Sequence, residues 1–313
     1  MPEIYDLVII GAGPAGCSAA IYTARGGLRT ILLDKNPSAG ALAWAQKISN
    51  YPGQKQEISG RELLETMRQQ ALSFGASYKQ TQVVASDLKK SPKEVVTTDG
   101  AYLAKAVLVA SGARGRKEKI KGEEEFTGKG VSYCATCDGQ LFQDAVVAVV
   151  GDDEEALADI LILGRIAKKI YIITSGKELK TDKETQVIIK NNPKLELKSN
   201  FYLKEIKGSN LVNSIVVADS KGQEENIEVE GVFIHLPGND PIVDFLDGCL
   251  DLGERSCIVV NKNQETCLEG VFAAGDVTCQ HMKQAVVAAA EGAIAAVAID
   301  KYINKRANFR LSR

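Results

Sequence analysis

Apolar residues fall along this chain in short unbroken blocks, most of which stop at a glycine or an acid. Asp6-Leu7-Val8-Ile9-Ile10 predicts a buried strand that ends in glycines, and Cys17-Ser18-Ala19-Ala20-Ile21-Tyr22-Thr23-Ala24 predicts the helix after it. A second strand, Thr30-Ile31-Leu32-Leu33, ends in Asp34. An amphipathic helix is expected over 60–74, short strands near 83–86 and 95–98, and another apolar block at 106–113. The blocks at 145–150, 170–173, 231–236 and 271–277 continue the series. Residues 285–299 are almost wholly apolar, but they fall short of the roughly 20 residues a bilayer span needs. Glu291 also interrupts them, so they read as an alanine-rich buried helix. Strands alternating with helices predict an α/β protein built on doubly wound sheets.

Between the first strand and helix stands Gly11-Ala12-Gly13-Pro14-Ala15-Gly16. Strand, glycine turn, helix, strand and terminal acid make the frame of a dinucleotide site. The glycines allow a tight turn, close approach of a pyrophosphate and close helix packing, while Asp34 can bond a ribose hydroxyl. The strand at 145–150 opens a second such frame, but Gly151-Asp152-Asp153-Glu154-Glu155-Ala156 follows it. The charged stretch from Arg114 and the segment Pro237-Gly238-Asn239-Asp240-Pro241 read as linkers. Residues 1–116 with 242–313 are therefore expected to form one domain, and 117–241 a second domain inserted into it.

At 313 residues the chain has room for two cores. A net charge of −2 gives no global attraction to nucleic acid. The apolar run at 7–10 is far too short for a secretory core, and seven cysteines without one point to a reducing, cytoplasmic setting.

Chemistry concentrates in Ser132-Tyr133-Cys134-Ala135-Thr136-Cys137-Asp138-Gly139. Two thiols three positions apart can close into a small disulfide ring and reopen, exchanging two electrons. A nearby helix N-terminus would lower a thiol pKa, and Asp138 supplies a proton donor and acceptor. Half a zinc site is the competing reading, but no second Cys-x-x-Cys or Cys-x-x-His completes one, and no metal is expected. Cys17, Cys249, Cys257, Cys267 and Cys279 lack a short metal-ligand step and read as unrelated core residues. His235 and His281 read as core or capping residues.

Together these strings resemble the low-molecular-weight thioredoxin reductases, two-domain flavoproteins of the disulfide reductase superfamily. The likeness spans nearly the whole chain. It rests on the first glycine turn, Asn50-Tyr51-Pro52-Gly53, Cys134-Ala135-Thr136-Cys137-Asp138-Gly139 and Ala274-Gly275-Asp276-Val277. It implies FAD held by Gly11, Gly13, Pro14, Ala15, Gly16, Asp34, Asn50, Gly112, Gly275 and Asp276. Lys283 and Gln284 stand where the family commonly has Arg-Gln, and lysine lacks arginine's planar fork. The resemblance further implies that Cys137 faces the flavin, Cys134 attacks thioredoxin, Asp138 moves the proton, and the protein is a homodimer. Trp44 stands where the family has a loop under the flavin, so the resemblance implies that it lines the pocket or packs.

The departure is at the second turn. NADPH-dependent members carry Gly-x-Gly-x-x-Ala there, and a His-Arg-Arg cluster on the next strand. Here Asp152, Asp153, Glu154 and Glu155 fill the turn, and Thr174-Ser175-Gly176 replaces the cluster. Each carboxylate should oppose a phosphate charge by on the order of 1–3 kcal/mol at an effective dielectric near 20. Lys177 and Lys180 lie close enough in sequence to hold a phosphate. The expectation is that the chain resembles the ferredoxin-dependent flavin thioredoxin reductases. Arg114, Arg116, Lys117, Lys119, Lys121, Lys301, Lys305, Arg306, Arg310 and Arg313 would then offer basic docking charges, and Phe309 could cover the flavin. The alternatives are an NADPH-dependent thioredoxin reductase with a variant turn and a non-catalytic flavin-binding protein.

Overall fold

Strand β1 (Ile4–Ile10) is the first piece of a parallel sheet, and Pro14 at the first helical position starts α1 (Pro14–Arg25) at once. Then follow β2 (Thr30–Asp34), a short α2 (Ala41–Trp44), α3 (Gly60–Ser73), β3 (Ser77–Gln80), β4 (Val83–Asp87), β5 (Lys93–Thr97) and β6 (Gly100–Val109). Ser59 and Glu62 form a reciprocal capping box that fixes the start of α3. The chain continues through α4 (Glu123–Phe126), β7 (Val131–Ser132), α5 (Ala135–Asp138), β8 (Val146–Val150), α6 (Glu154–Ile166), β9 (Lys169–Thr174) and α7 (Lys183–Asn191). After β10 (Leu195–Ser199), β11 (Phe201–Gly208), β12 (Val212–Asp219), β13 (Glu224–Glu228) and β14 (Gly231–Ile234), it ends with β15 (Val271–Ala273) and α8 (Ala285–Asn304). This computed structural model describes residues 3–38, 40–45, 47–114, 119–236, 240–279 and 282–305.

The chain divides into two compact units, Met1–Gly115 with Asn239–Arg313, and Arg116–Gly238. In the first, the sheet order is β3-β2-β1-β6-β5-β4, with β15 also paired to β6. β3, β2, β1, β6 and β15 run parallel, and β5 and β4 extend the sheet antiparallel. The apolar blocks of β1 and β6 pair residue for residue, Leu7 with Ala106 through Ile10 with Val109, and are buried on both faces. Helix α8 packs on α1 through small residues. A Cβ on Gly292 would lie 2.1 Å from the Ala15 carbonyl oxygen, so glycine is what permits the approach.

The second unit has a five-stranded parallel sheet, order β10-β9-β8-β14-β7, and an antiparallel sheet of β11, β12 and β13. Its core gathers Val147, Val149, Ile170, Ile172 and Phe233 under α6. Among the described residues no helix is long and apolar enough to cross a membrane. The linker residues 115–118 and 237–239, His281 and the tail 306–313 lie outside the described residues. With them go the expectations placed on Arg116, Lys117, Arg306, Phe309, Arg310 and Arg313.

Candidate functional site

In the first unit, the C-terminal ends of the parallel strands bring several expected cofactor residues together. Gly11 has φ +108°, and a Cβ there would lie 2.2 Å from the Ala110 carbonyl oxygen, so the first turn sits directly against the loop leading to Gly112. Gly16 is equally tight, 2.0 Å from the Gly11 carbonyl oxygen. At the end of β2, Asp34 accepts 2.7 Å and 2.8 Å hydrogen bonds from the amides of Ala12 and Asn36. Burial raises the Asp34 pKa; those two amides and Arg68 work against the shift. The turn at Gly275, φ +82°, lies on α1, with its missing Cβ 3.0 Å from that of Ala15.

Sequence reading missed the support behind that turn. Buried Glu291 on α8 accepts a 2.6 Å hydrogen bond from the Gly275 amide. Its pKa is raised by burial and by neighbouring Asp276, and the Gly275 amide opposes the rise. In the sequence Glu291 served only to argue against a membrane helix. Asn50 donates to Gln284 at 3.3 Å, joining two expected residues 234 positions apart. Lys283 is exposed at the foot of α8. Trp44 is 61% exposed, so it takes no part in this chain's own core.

In the second unit the expected redox pair is joined: Cys134 and Cys137 form a disulfide, with Cα atoms 5.3 Å apart and both residues half-buried. Cys134 caps the one-turn helix α5, and its Sγ accepts from the Cys137 amide at 3.1 Å. Asp138 accepts a 2.6 Å hydrogen bond from Ser132 Oγ. Burial holds the Asp138 pKa above the ordinary carboxylate value, Asp159 adds to the rise, and the Ser132 bond opposes it. A carboxyl so placed can hold a proton beside the two sulfurs.

The support for this loop comes from far along the chain. Asp159 Oδ2, on α6, accepts from the Ala135 amide at 2.7 Å and lies 2.8 Å from Nε2 of His235, just beyond β14. Asp159 and His235 are both buried. His235 is thus in the core, as expected, but it also holds the carboxylate that fixes the backbone between the two cysteines. Glu123, fully buried at the start of α4, accepts from Tyr133 Oη at 2.9 Å and pins the loop's other side.

At the second nucleotide turn the four acids do not act alike. Gly151 keeps a glycine geometry, φ +140°, with its missing Cβ 2.3 Å from the His235 carbonyl oxygen. Asp153 caps α6, accepting from the Ala156 amide at 2.9 Å. Asp152 pairs with Lys180 at 3.2 Å, so the lysine considered as a phosphate ligand is engaged by the turn itself. Lys119 and Lys121, considered as docking charges, pair with Glu123 and Glu205, and Arg114 pairs with Asp244.

One expectation is overturned. Cys257 and Cys279 are not unrelated core residues: they form a second disulfide, with Cys279 exposed. Cys267 is exposed too, whereas Cys17 is buried, and burial pushes its thiol pKa up to about 12. Among the described residues, no cluster of three or more His, Cys, Asp or Glu could hold a metal ion.

Residues 5–292 match the family described as pyridine nucleotide-disulphide oxidoreductase. The chain belongs to this family. It is 47% identical over 304 residues to a thioredoxin reductase of Aquifex aeolicus, covering 96% of this chain and 94% of that protein. Solved structures agree. A thioredoxin reductase from Streptococcus pyogenes superposes with TM-score 0.90 at 31% identity, covering 97% of this chain and 100% of that one. One from Giardia duodenalis gives TM-score 0.91 at 29% identity, covering 96% and 99%.

Within the family the thioredoxin reductases carry FAD, and the first unit fits it. A Cβ on Gly13 would meet no protein atom within 4 Å, so the protein's own packing does not require glycine there. An approaching pyrophosphate does. Gly13 stands at the N-terminus of α1, a twelve-residue helix whose dipole favours an anion. The acid at Asp34 is placed for a ribose.

Proposed function

We propose that this chain is a thioredoxin reductase in which FAD binds the first unit and Cys134–Cys137 passes electrons to thioredoxin. The observation that carries the reading is a half-buried Cys134–Cys137 disulfide beside a carboxyl whose pKa is raised by burial. FAD held by the first unit, once reduced by the electron donor, would supply the electron pair that opens this disulfide. Cys134 thiolate then attacks the partner's disulfide, its bond to the partner sulfur forming as the partner's own sulfur–sulfur bond breaks. Cys137 thiolate attacks Cys134, restores the intramolecular disulfide and releases the dithiol product. Asp138 holds the proton that the departing thiolate takes. The Ala135–Asp159–His235 contacts keep the loop backbone in register through this cycle. Gly11, Gly13, Pro14, Ala15, Gly16, Asp34, Asn50, Gly112, Gly275, Asp276, Lys283 and Gln284 are assigned to FAD in the same proposal. A homodimer is its assembly state, to be checked by sedimentation.

For the electron donor, the expectation of ferredoxin gains no support from the comparisons, and a reduced pyridine nucleotide, NADPH, is now the favoured reading. The matched family is described by a pyridine nucleotide, and the second unit keeps its strand–glycine–helix frame at Gly151. The sequence argument against it is also weaker in the fold, because Lys180 offsets Asp152. Ferredoxin stays as a second reading on one observation: Asp153 occupies the Ala156 amide at the α6 N-terminus, where a phosphate would otherwise be received. Anaerobic titration of the flavin with NADPH, NADH and reduced ferredoxin decides between them. Bleaching by NADPH is expected; bleaching by ferredoxin alone transfers the proposal to the second reading. Unchanged thioredoxin turnover in Cys134→Ser would sink both and leave a non-catalytic flavin-binding protein.

A further inference from the structure

The second disulfide has no part in the scheme above. Cys257 and Cys279 are 22 positions apart, with Cα atoms 4.9 Å apart, and both belong to the first unit. Cys279 is exposed and Cys257 is half-buried. Gly253 lies against both sulfurs, since a Cβ there would sit 2.9 Å from Cys279 Sγ and 3.3 Å from Cys257 Sγ.

We propose that Cys257–Cys279 is a second thiol–disulfide exchange site, which accepts two electrons from a reduced dithiol arriving at the exposed Cys279. Three observations carry it. The first is access: exchange requires a thiolate to reach one sulfur, and Cys279 is on the surface. The second is a seat for the leaving group. Cys257 Sγ lies 3.1 Å from the Glu254 carbonyl oxygen, an acceptor in place for the proton of the thiol that forms. The third is that the two segments do not depend on the cross-link. The Ile258 amide donates to the Val277 carbonyl at 2.9 Å and the Cys279 amide to the Ile258 carbonyl at 3.3 Å, with Ile258 fully buried. The disulfide can therefore open and reclose without unfolding the unit.

A thiolate of the donor attacks Cys279 Sγ; the Cys257–Cys279 bond breaks, and its electron pair leaves with Cys257, which takes a proton from water. The donor's second thiolate then attacks the donor sulfur bound to Cys279. That releases Cys279 as a thiolate, which takes a proton from water, and leaves the donor oxidised by two electrons to its own disulfide.

The test uses the full-length holoprotein with Cys134→Ser and Cys137→Ser, so that the first site cannot contribute. Free thiols are blocked with N-ethylmaleimide in the folded state. The protein is then treated with dithiothreitol or, separately, reduced thioredoxin, and new thiols are tagged with iodoacetamide before mass spectrometry. The expected result is that both Cys257 and Cys279 go from untagged to mostly tagged while far-UV circular dichroism is unchanged. The two reductants show whether a protein dithiol or only a small one reaches the site. Tagging only after unfolding in denaturant overturns the proposal and leaves a structural cross-link. Blocking of either cysteine in the first step overturns it too, because the disulfide would not then exist. The outcome is independent of whether the protein reduces thioredoxin, since the reductant is supplied.

Discussion

Asp138 is where a single side chain ties stability to chemistry. Its folded pKa lies above the unfolded value because burial disfavours the charge. The stability it contributes is therefore present below the unfolded pKa and is lost as pH rises through the folded one. Asp138→Asn removes that loss, so at neutral pH its melting temperature should equal or exceed the wild type's. Thioredoxin turnover should nevertheless fall by about 10²–10⁴-fold, the usual contribution of a positioned acid or base. Steady-state kinetics beside thermal melts check the pair of outcomes. The glycines of the first turn divide in the same informative way. Gly11→Ala drives a Cβ into the Ala110 carbonyl oxygen and should prevent folding. Gly13→Ala meets no protein atom, so the apoprotein should melt normally while FAD affinity drops by about tenfold, or about 1.4 kcal/mol. Flavin fluorescence titration reads that loss directly. Both turns and the redox pair were legible in the sequence because neighbouring residues build them.

Among the elements, the parts that escaped the sequence are those made by distant segments. The hydrogen bond between Asp159 and His235 spans 76 positions and depends on α6 and β14 lying side by side. No local pattern announces it, and a lone histidine in an apolar strand reads as core. His235→Ala would leave a buried carboxylate short of a partner and should destabilise the second unit by about 1–3 kcal/mol. Asp159→Asn in the same background should recover part of that loss, read from urea midpoints. The Cys257–Cys279 pairing was hidden for a similar reason. Whether two cysteines meet depends on Cα separation, not spacing in sequence. Element types came through better, since unbroken apolar blocks bounded by glycines mark buried parallel strands. The antiparallel trio β11, β12 and β13 was not anticipated: β12 carries an apolar block at 215–218, but its partners β11 and β13 are mostly polar and offer none.

At the scale of the whole molecule, two units with separate cores need not melt together. FAD is assigned to the first alone, so it should stabilise that unit by mass action, about 2.7 kcal/mol at a free concentration one hundred times Kd. Calorimetry with and without added FAD should show one transition moving and the other staying. Movement of both would mean that the units are coupled more tightly than their separate cores imply. Net charge and cysteine count narrowed the class but could not name the donor, because side-chain pairing decides what the acids of the second turn do.

The first unit's chain leaves at Arg114 and returns at Asp240, and there the Arg114 amide donates to the Asp240 carbonyl at 2.9 Å beside the Ala113–Pro241 bridge. Exit and re-entry are held side by side at one isolated antiparallel bridge. Topologically, the second unit is a cassette hung from a single socket. A gene in which a two-residue turn joins Arg114 to Asp240 would leave every strand of the first sheet in place. The product would be a small yellow protein with no outlet for its electrons. Other cassettes with closely spaced ends could be spliced into the same socket.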